Sequence, residues 1–196
     1  ENKHPKYGED LYPRNFLINL PQSHNYLGAE TLFGISGDYD SDTEEITGLP
    51  LIRDVKDSEP VIPKKHDKEL NIIHIPDSLK EAIKVFVLTC SARRIRSTGS
   101  IHNSMLIHVT LFPRLQDSIE ELVRSEIVDL SARIMSGTDH LEDLKSIWEN
   151  DFEETTLEMQ SLGYYTAIPI DWEEIKSELY QAIRLITIKK INGEAS

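Results

Sequence analysis

Residues 104–110 read Ser-Met-Leu-Ile-His-Val-Thr, a short apolar run with polar neighbours, and the reading of this run decides the fold. Its length suits a buried strand better than a helix. Downstream, Pro113 precedes Leu115, Ile119, Leu122, Val123, Ile127, Leu130 and Ile134, which lie on one helical face until Gly137 ends the pattern. A second, acidic helical stretch runs from Thr138 towards Leu162, with Leu141, Leu144, Ile147, Trp148 and Phe152 facing one way and Gly163 closing it. Asp171 and Glu174 have capping-box spacing at the start of a further helix carrying Ile175, Leu179, Ala182 and Ile183. The tail from Leu185 to Ile191 alternates and reads as another strand. Strand, helical crossover and strand together predict a parallel unit, because parallel strands need such a crossover. Two strands do not finish a sheet, so the chain reads as a piece of a longer polypeptide.

Upstream of residue 104, Asp77 or Ser78 can cap a helix in which Leu79, Ala82, Ile83, Phe86, Val87 and Cys90 share a wide apolar face. It ends in Arg93, Arg94 and Arg96, cations that complement the negative end of the helix dipole, and Gly99 follows as a stop. Asn71–Ile75 is a candidate strand or an extended lead-in, and Pro76 disfavours helix before it. Residues 1–35 read as irregular with a few apolar anchors, and 36–60 as an exposed acidic loop. The domain reading is therefore an irregular segment over 1–76 and a helical and partial α/β unit over 77–196. No internal repeat is evident.

The net charge of −13 is uneven: segments 1–60, 61–114, 115–182 and 183–196 carry −7, +5, −13 and +2. Such a balance argues against a general nucleic-acid binder, which needs clustered Lys and Arg, but it leaves one basic segment inside an acidic chain. The single cysteine, Cys90, excludes an internal disulfide and a cysteine-based zinc cluster. Without an apolar run of bilayer length or a secretory pattern at residues 1–10, a soluble, cytoplasmic protein is expected.

Catalytic motifs are few. The sequence contains no GxxxxGK[ST] phosphate loop, so a nucleotide cannot be cradled here in the usual way. Pro169-Ile-Asp-Trp-Glu-Glu-Ile-Lys176 loosely resembles a metal-nuclease string, but Asp171 and Glu174 are better explained as a helix cap. His102 with His108, and His66 with His74, lack a completing carboxylate set, and no Gly-x-Ser-x-Gly elbow supports a triad. No catalytic, cofactor-binding or metal residue is assigned. Arg93, Arg94 and Arg96 are the best polar candidates, because guanidinium forks match phosphate oxygens; a dipole-complementing helix end explains their spacing equally well. His102 and Asn103, beside the expected strand, mark either a functional edge or a turn.

Three strings resemble a known family. The run Asp10-Leu-Tyr-Pro-Arg-Asn-Phe-Leu-Ile-Asn-Leu-Pro through Asn25-Tyr-Leu-Gly-Ala-Glu, then Phe33-Gly34, resembles the opening of the bacterial Z-one (Z1) domain, which carries an endonuclease label. Ser78-Leu-Lys-Glu-Ala-Ile-Lys to Ala92-Arg-Arg-Ile-Arg, then His102-Asn-Ser-Met-Leu-Ile-His-Val with Gln116, resembles its centre. The resemblance implies a domain joined to a superfamily-two helicase-like ATPase, in the company of DNA methyltransferase and restriction or phage-defence genes. Met105-Leu-Ile-His-Val-Thr with the Gln116 helix is also similar to the first strand and helix of a helicase second lobe, and Ile188-Lys-Lys-Ile-Asn-Gly to its next strand. Leu111 stands where that lobe would carry an arginine. The resemblance implies ATP and magnesium for the parent protein and none for this chain.

The expected fold is thus α/β and helix-rich: an irregular N-terminal segment plus a partial RecA-like (helicase second lobe) parallel unit with a helical insertion. The expected function is a fragment of a DNA-directed helicase-like ATPase of a restriction-modification or phage-defence system, not catalytic alone. Arg93, Arg94, Arg96, His102, Asn103 and Thr110 would make nucleic-acid or interlobe contacts. Its expected partners are DNA through the parent, the remaining ATPase lobes, and methyltransferase or other defence subunits. Two alternatives stand beside it: a protein-interaction module whose acidic helices at 138–180 dock a partner subunit, and a metal-dependent endonuclease.

Overall fold

The computed structural model describes residues 28–34, 48–49, 51–97, 102–137, 141–164 and 168–191. The chain divides into two compact units, residues 1–51 and 52–196. In the first, α1 (Ala29–Phe33) is a single turn. Gly48 lies so close to it that a Cβ there would sit 2.5 Å from the Phe33 carbonyl carbon, so only glycine fits. The other sequence readings over residues 1–27 and 35–47, including the Asp10 and Asn25 strings, lie outside the described residues.

The second unit is helical. Its elements are α2 (Asp77–Arg96), α3 (Pro113–Ser136), α4 (Glu142–Ile147), a π-helical segment (Trp148–Glu153), α5 (Glu154–Ser161) and α6 (Trp172–Ile183). α2 packs chiefly on α6; α3 also packs on α6, and α4 on α2. The core is built from Ile83, Val87 and Leu88 of α2, Leu115, Ile119, Val123 and Leu130 of α3, Leu144 of α4 and Ile175, Leu179 and Ile183 of α6. Each such side chain, fully withdrawn from water, stabilises by roughly 1.5–3 kcal/mol before entropy is counted. Val61, Ile62, Ile72 and Ile75 join the same core from the irregular stretch before α2.

The helix ends follow local chemistry. Pro113 opens α3 where its missing N–H costs nothing, and Gly137, at φ 109°, ends it in a conformation that side chains avoid. α6 carries the capping box read from the sequence: the Asp171 side chain takes the Glu174 amide, and the Glu174 carboxylate takes the Asp171 amide at 3.2 Å. α2 is capped differently. Pro76 occupies the N-cap and offers no side-chain bond, so neither Asp77 nor Ser78 caps the helix. Instead the Asp57 carboxylate accepts the Ser78 amide (2.9 Å) and hydroxyl (2.6 Å). A distant acid thereby satisfies an orphan donor at the positive end of the helix dipole.

The expected α/β class is corrected by this structure. Among the described residues there is no strand and no sheet, so the partial RecA-like, second-lobe parallel unit is absent. Residues 103–110 and 186–191, which take in the two expected strands, form neither strand nor helix and make no strand pairing. Met105 and Ile107 turn towards the helical core while Leu106 is 85% exposed; Ile186 and Ile188 turn inward while Ile191 is 85% exposed. Residues 71–75 form no strand either and bend at His74, with Ile72 and Ile75 buried.

The acidic stretch is helical as read, with a π-helical segment at its centre. Trp148 is buried there, stacks on Phe152 with ring centroids 4.9 Å apart and donates its indole N–H to the Ile170 carbonyl at 3.1 Å. Among the described residues no helix is long and apolar enough to cross a membrane.

Candidate interaction surface

The three arginines at the end of α2 each reach a different part of the chain. Arg93 donates to the Asn103 side-chain oxygen (2.6 Å) and to the His102 carbonyl (3.2 Å), holding the start of the first extended segment against the helix. Arg94 pairs with Glu178 of α6 at 2.7 Å. Arg96 donates to the Ile168 carbonyl at 2.7 Å, and burial draws its pKa down. The basic cluster is therefore a set of tethers joining α2 to the first extended segment, to α6 and to the approach to α6. Only Arg93, His102 and Asn103 come together.

Cys90, one turn before Arg93, is buried beside this group. Burial raises its thiol pKa, while an Asn103 hydrogen bond and the Arg93 charge pull in the opposite direction.

Thr110 lies in a separate cluster at the other end of the first extended segment. Its hydroxyl oxygen lies 2.9 Å from His66 Nε2 and accepts the Phe112 amide at 3.2 Å, while its carbonyl accepts from Gln116 Nε2 at 2.9 Å. His66 Nδ1 lies 2.6 Å from the Pro63 carbonyl, which can only accept, so Nδ1 carries a proton. In the neutral ring Nε2 then accepts the Thr110 hydroxyl proton, which gives one consistent chain from Phe112 to Pro63. The imidazole also meets the Phe112 ring edge-on at 5.6 Å. This cluster locks the turn into α3.

A third polar cluster escaped the sequence reading. Asp143 of α4 pairs with Lys84 of α2 (2.7 Å) and Arg133 of α3 (2.5 Å). Partial burial raises its pKa, but these two partners outweigh that and the net shift is downward. No local motif signals it, because the three residues sit on three different helices.

The exposed side chains along the two segments include Ser104, His108, Thr187 and Lys189 as well as apolar ones. Leu106 and Leu111 (83% exposed) lie in and just after the first extended segment, and Leu185 and Ile191 in and beside the second. Among the described residues no group of three His, Cys, Asp or Glu side chains could hold a metal ion, and no buried side-chain polar atom lacks a hydrogen-bond partner. His66 and His74, weighed together from the sequence as a metal pair, are not joined in such a group.

The profile of the Z1 domain matches residues 78–196, which takes in α2, both extended segments and every helix between them. The chain belongs to the Z1 domain family. No curated protein and no solved structure matches it. The Z1 region thus contains the arginine tethers, Thr110 and Asp143, whereas Asp57 and His66 reach it from the preceding irregular stretch.

Proposed function

We propose that this Z1 domain is a non-catalytic docking module of a larger DNA-directed, helicase-like ATPase acting in restriction-modification or phage defence. The observation that carries this reading is the pair of extended segments, which present apolar side chains to solvent while the nearby arginines are engaged within the domain. Contacts to the other ATPase lobes fit this face better than contacts to phosphates. In this reading ATP and magnesium are held by the other lobes, in keeping with the lack of a phosphate loop in this sequence. DNA reaches the domain through the parent protein, and methyltransferase or other defence subunits are the natural neighbours. The endonuclease reading lacks a converging set of carboxylates among the described residues. Acidic helices as the docking surface fit less well, since Asp143 and Asp151 already pair with Lys84, Arg133 and Arg53.

The test is ATP hydrolysis by the full-length parent with duplex and single-stranded DNA, beside this chain alone. Stimulation in the parent with silence in the isolated chain supports the proposal. A parent that no DNA stimulates refutes its DNA-directed part.

A further inference from the structure

The backbone between Asn103 and Val109 makes no hydrogen bond to the protein among the described residues, and neither does that of Thr187–Lys189. Both segments seat alternate side chains on the helical core and turn the others outward, the period of two that an extended chain has. Each therefore has the form of a strand without a neighbour. An unpaired row of N–H and C=O groups is a template for another chain, and native proteins blunt such rows with prolines, bulges or charge. Residues 103–109 contain none of the prolines or charged residues that would do so, and Leu106 stands exposed at their centre.

The chemistry of the edge narrows its occupant. Alternating donors and acceptors at strand spacing are complemented by a polypeptide backbone, whereas a phosphate backbone or a lipid headgroup has no such alternation. Charge narrows it further. In a chain of net charge −13, no acidic residue occurs between Ser97 and Gln116 or between Leu179 and Gly193. Those stretches carry Arg114, Arg184, Lys189 and Lys190, with Glu69 and Asp117 approaching Arg114 and Lys190 from outside.

We propose that residues 103–109 take up an extended strand from a partner protein by backbone pairing, the incoming strand bearing apolar side chains at alternate positions and acidic residues at its ends. The proposal rests on the docking reading above and specifies how that face is used. Leu106 lies on the outward face of the new pair, where the partner's outward side chains meet it.

The test uses the 196-residue chain and a short synthetic peptide alternating valine and threonine with glutamates at both ends, read by amide hydrogen exchange. Pairing slows exchange across Ser104–Val109 by at least about tenfold, and the same peptide N-methylated at alternate residues gives no slowing. Glutamine in place of the glutamates weakens the effect, as does Leu106→Asp, whose exposed position leaves the fold intact. The proposal is overturned if millimolar peptide leaves these amides unprotected, or if the N-methylated peptide protects them equally. It is also overturned if an oligonucleotide or anionic vesicles give the same protection, or if the chain alone self-associates with these amides already protected. Peptide pairing beside an ATPase that ignores DNA would sink only the broader reading, while a DNA-stimulated parent without peptide pairing would sink only this one.

Discussion

The α2–α6 pair and the two extended segments use the same residue types to different effect. In the helices, Leu88, Ile175 and Leu179 are fully buried and every interior amide is satisfied within its own helix. In the segments, Met105 and Ile107 pack on the core on one side only, and among the described residues their amides have no hydrogen-bond partner. A helix completes its hydrogen bonding locally, whereas a strand must borrow a partner, so the first kind of element is finished in this chain and the second is not. Stability resides in the helices, and the proposed binding in the segments.

Substitutions separate the two regions, and the largest effect belongs to the core. Leu88→Ala or Ile175→Ala should destabilise by about 2–5 kcal/mol in urea unfolding, because each leaves a cavity. The matching changes Leu106→Ala and Ile191→Ala should stay within about 0.5 kcal/mol, and a large loss at either would show that these side chains are covered after all. Replacing Arg93, Arg94 and Arg96 together by alanine should cost about 1–2 kcal/mol, since it cuts three partly exposed tethers rather than a phosphate site. DNA binding by the parent that vanishes while the unfolding midpoint stays put would reverse that assignment.

Asp143→Asn should cost about 1 kcal/mol, screened as its surroundings are, by leaving Lys84 and Arg133 without their shared carboxylate. The sign with pH is fixed: the folded-state pKa of Asp143 lies below its usual value, so its contribution is full above that ordinary value. It is lost as pH falls through the depressed folded-state pKa. Wild type should therefore lose its advantage over Asp143→Asn on acidification, which paired unfolding curves at neutral and acid pH would measure. Asp57 behaves alike, its pKa lowered by the Ser78 hydroxyl and amide. Asp57→Ala should speed amide exchange at Ser78 and leave α6 unaffected; equal loosening of both helices would contradict a local capping role.

Much of the helical half was legible in the sequence for a physical reason. Apolar spacing, Pro113, Gly137 and the Asp171–Glu174 pair are local signals, and the helices obey them. The failure fell on the two apolar runs, whose length and patterning read as strands although neither is a strand, because a local pattern cannot reveal whether a neighbouring strand exists. The same limit governs the polar residues. That Arg94 meets Glu178, that Asp57 caps α2 and that Asp143 joins Lys84 to Arg133 are facts of tertiary packing between residues far apart in sequence. The π-helical turn that stacks Trp148 on Phe152 had no sequence signature distinct from an ordinary helix.

The most direct measurement is residue-resolved amide hydrogen exchange of the isolated chain without any partner. The account predicts that Ser104–Val109 exchange at close to the rate of an unstructured peptide, while the interior amides of α2 and α6 are protected up to the global stability of the fold. Protection of Ser104–Val109 comparable to that of α6 would mean that the segment is already paired, and would contradict the account.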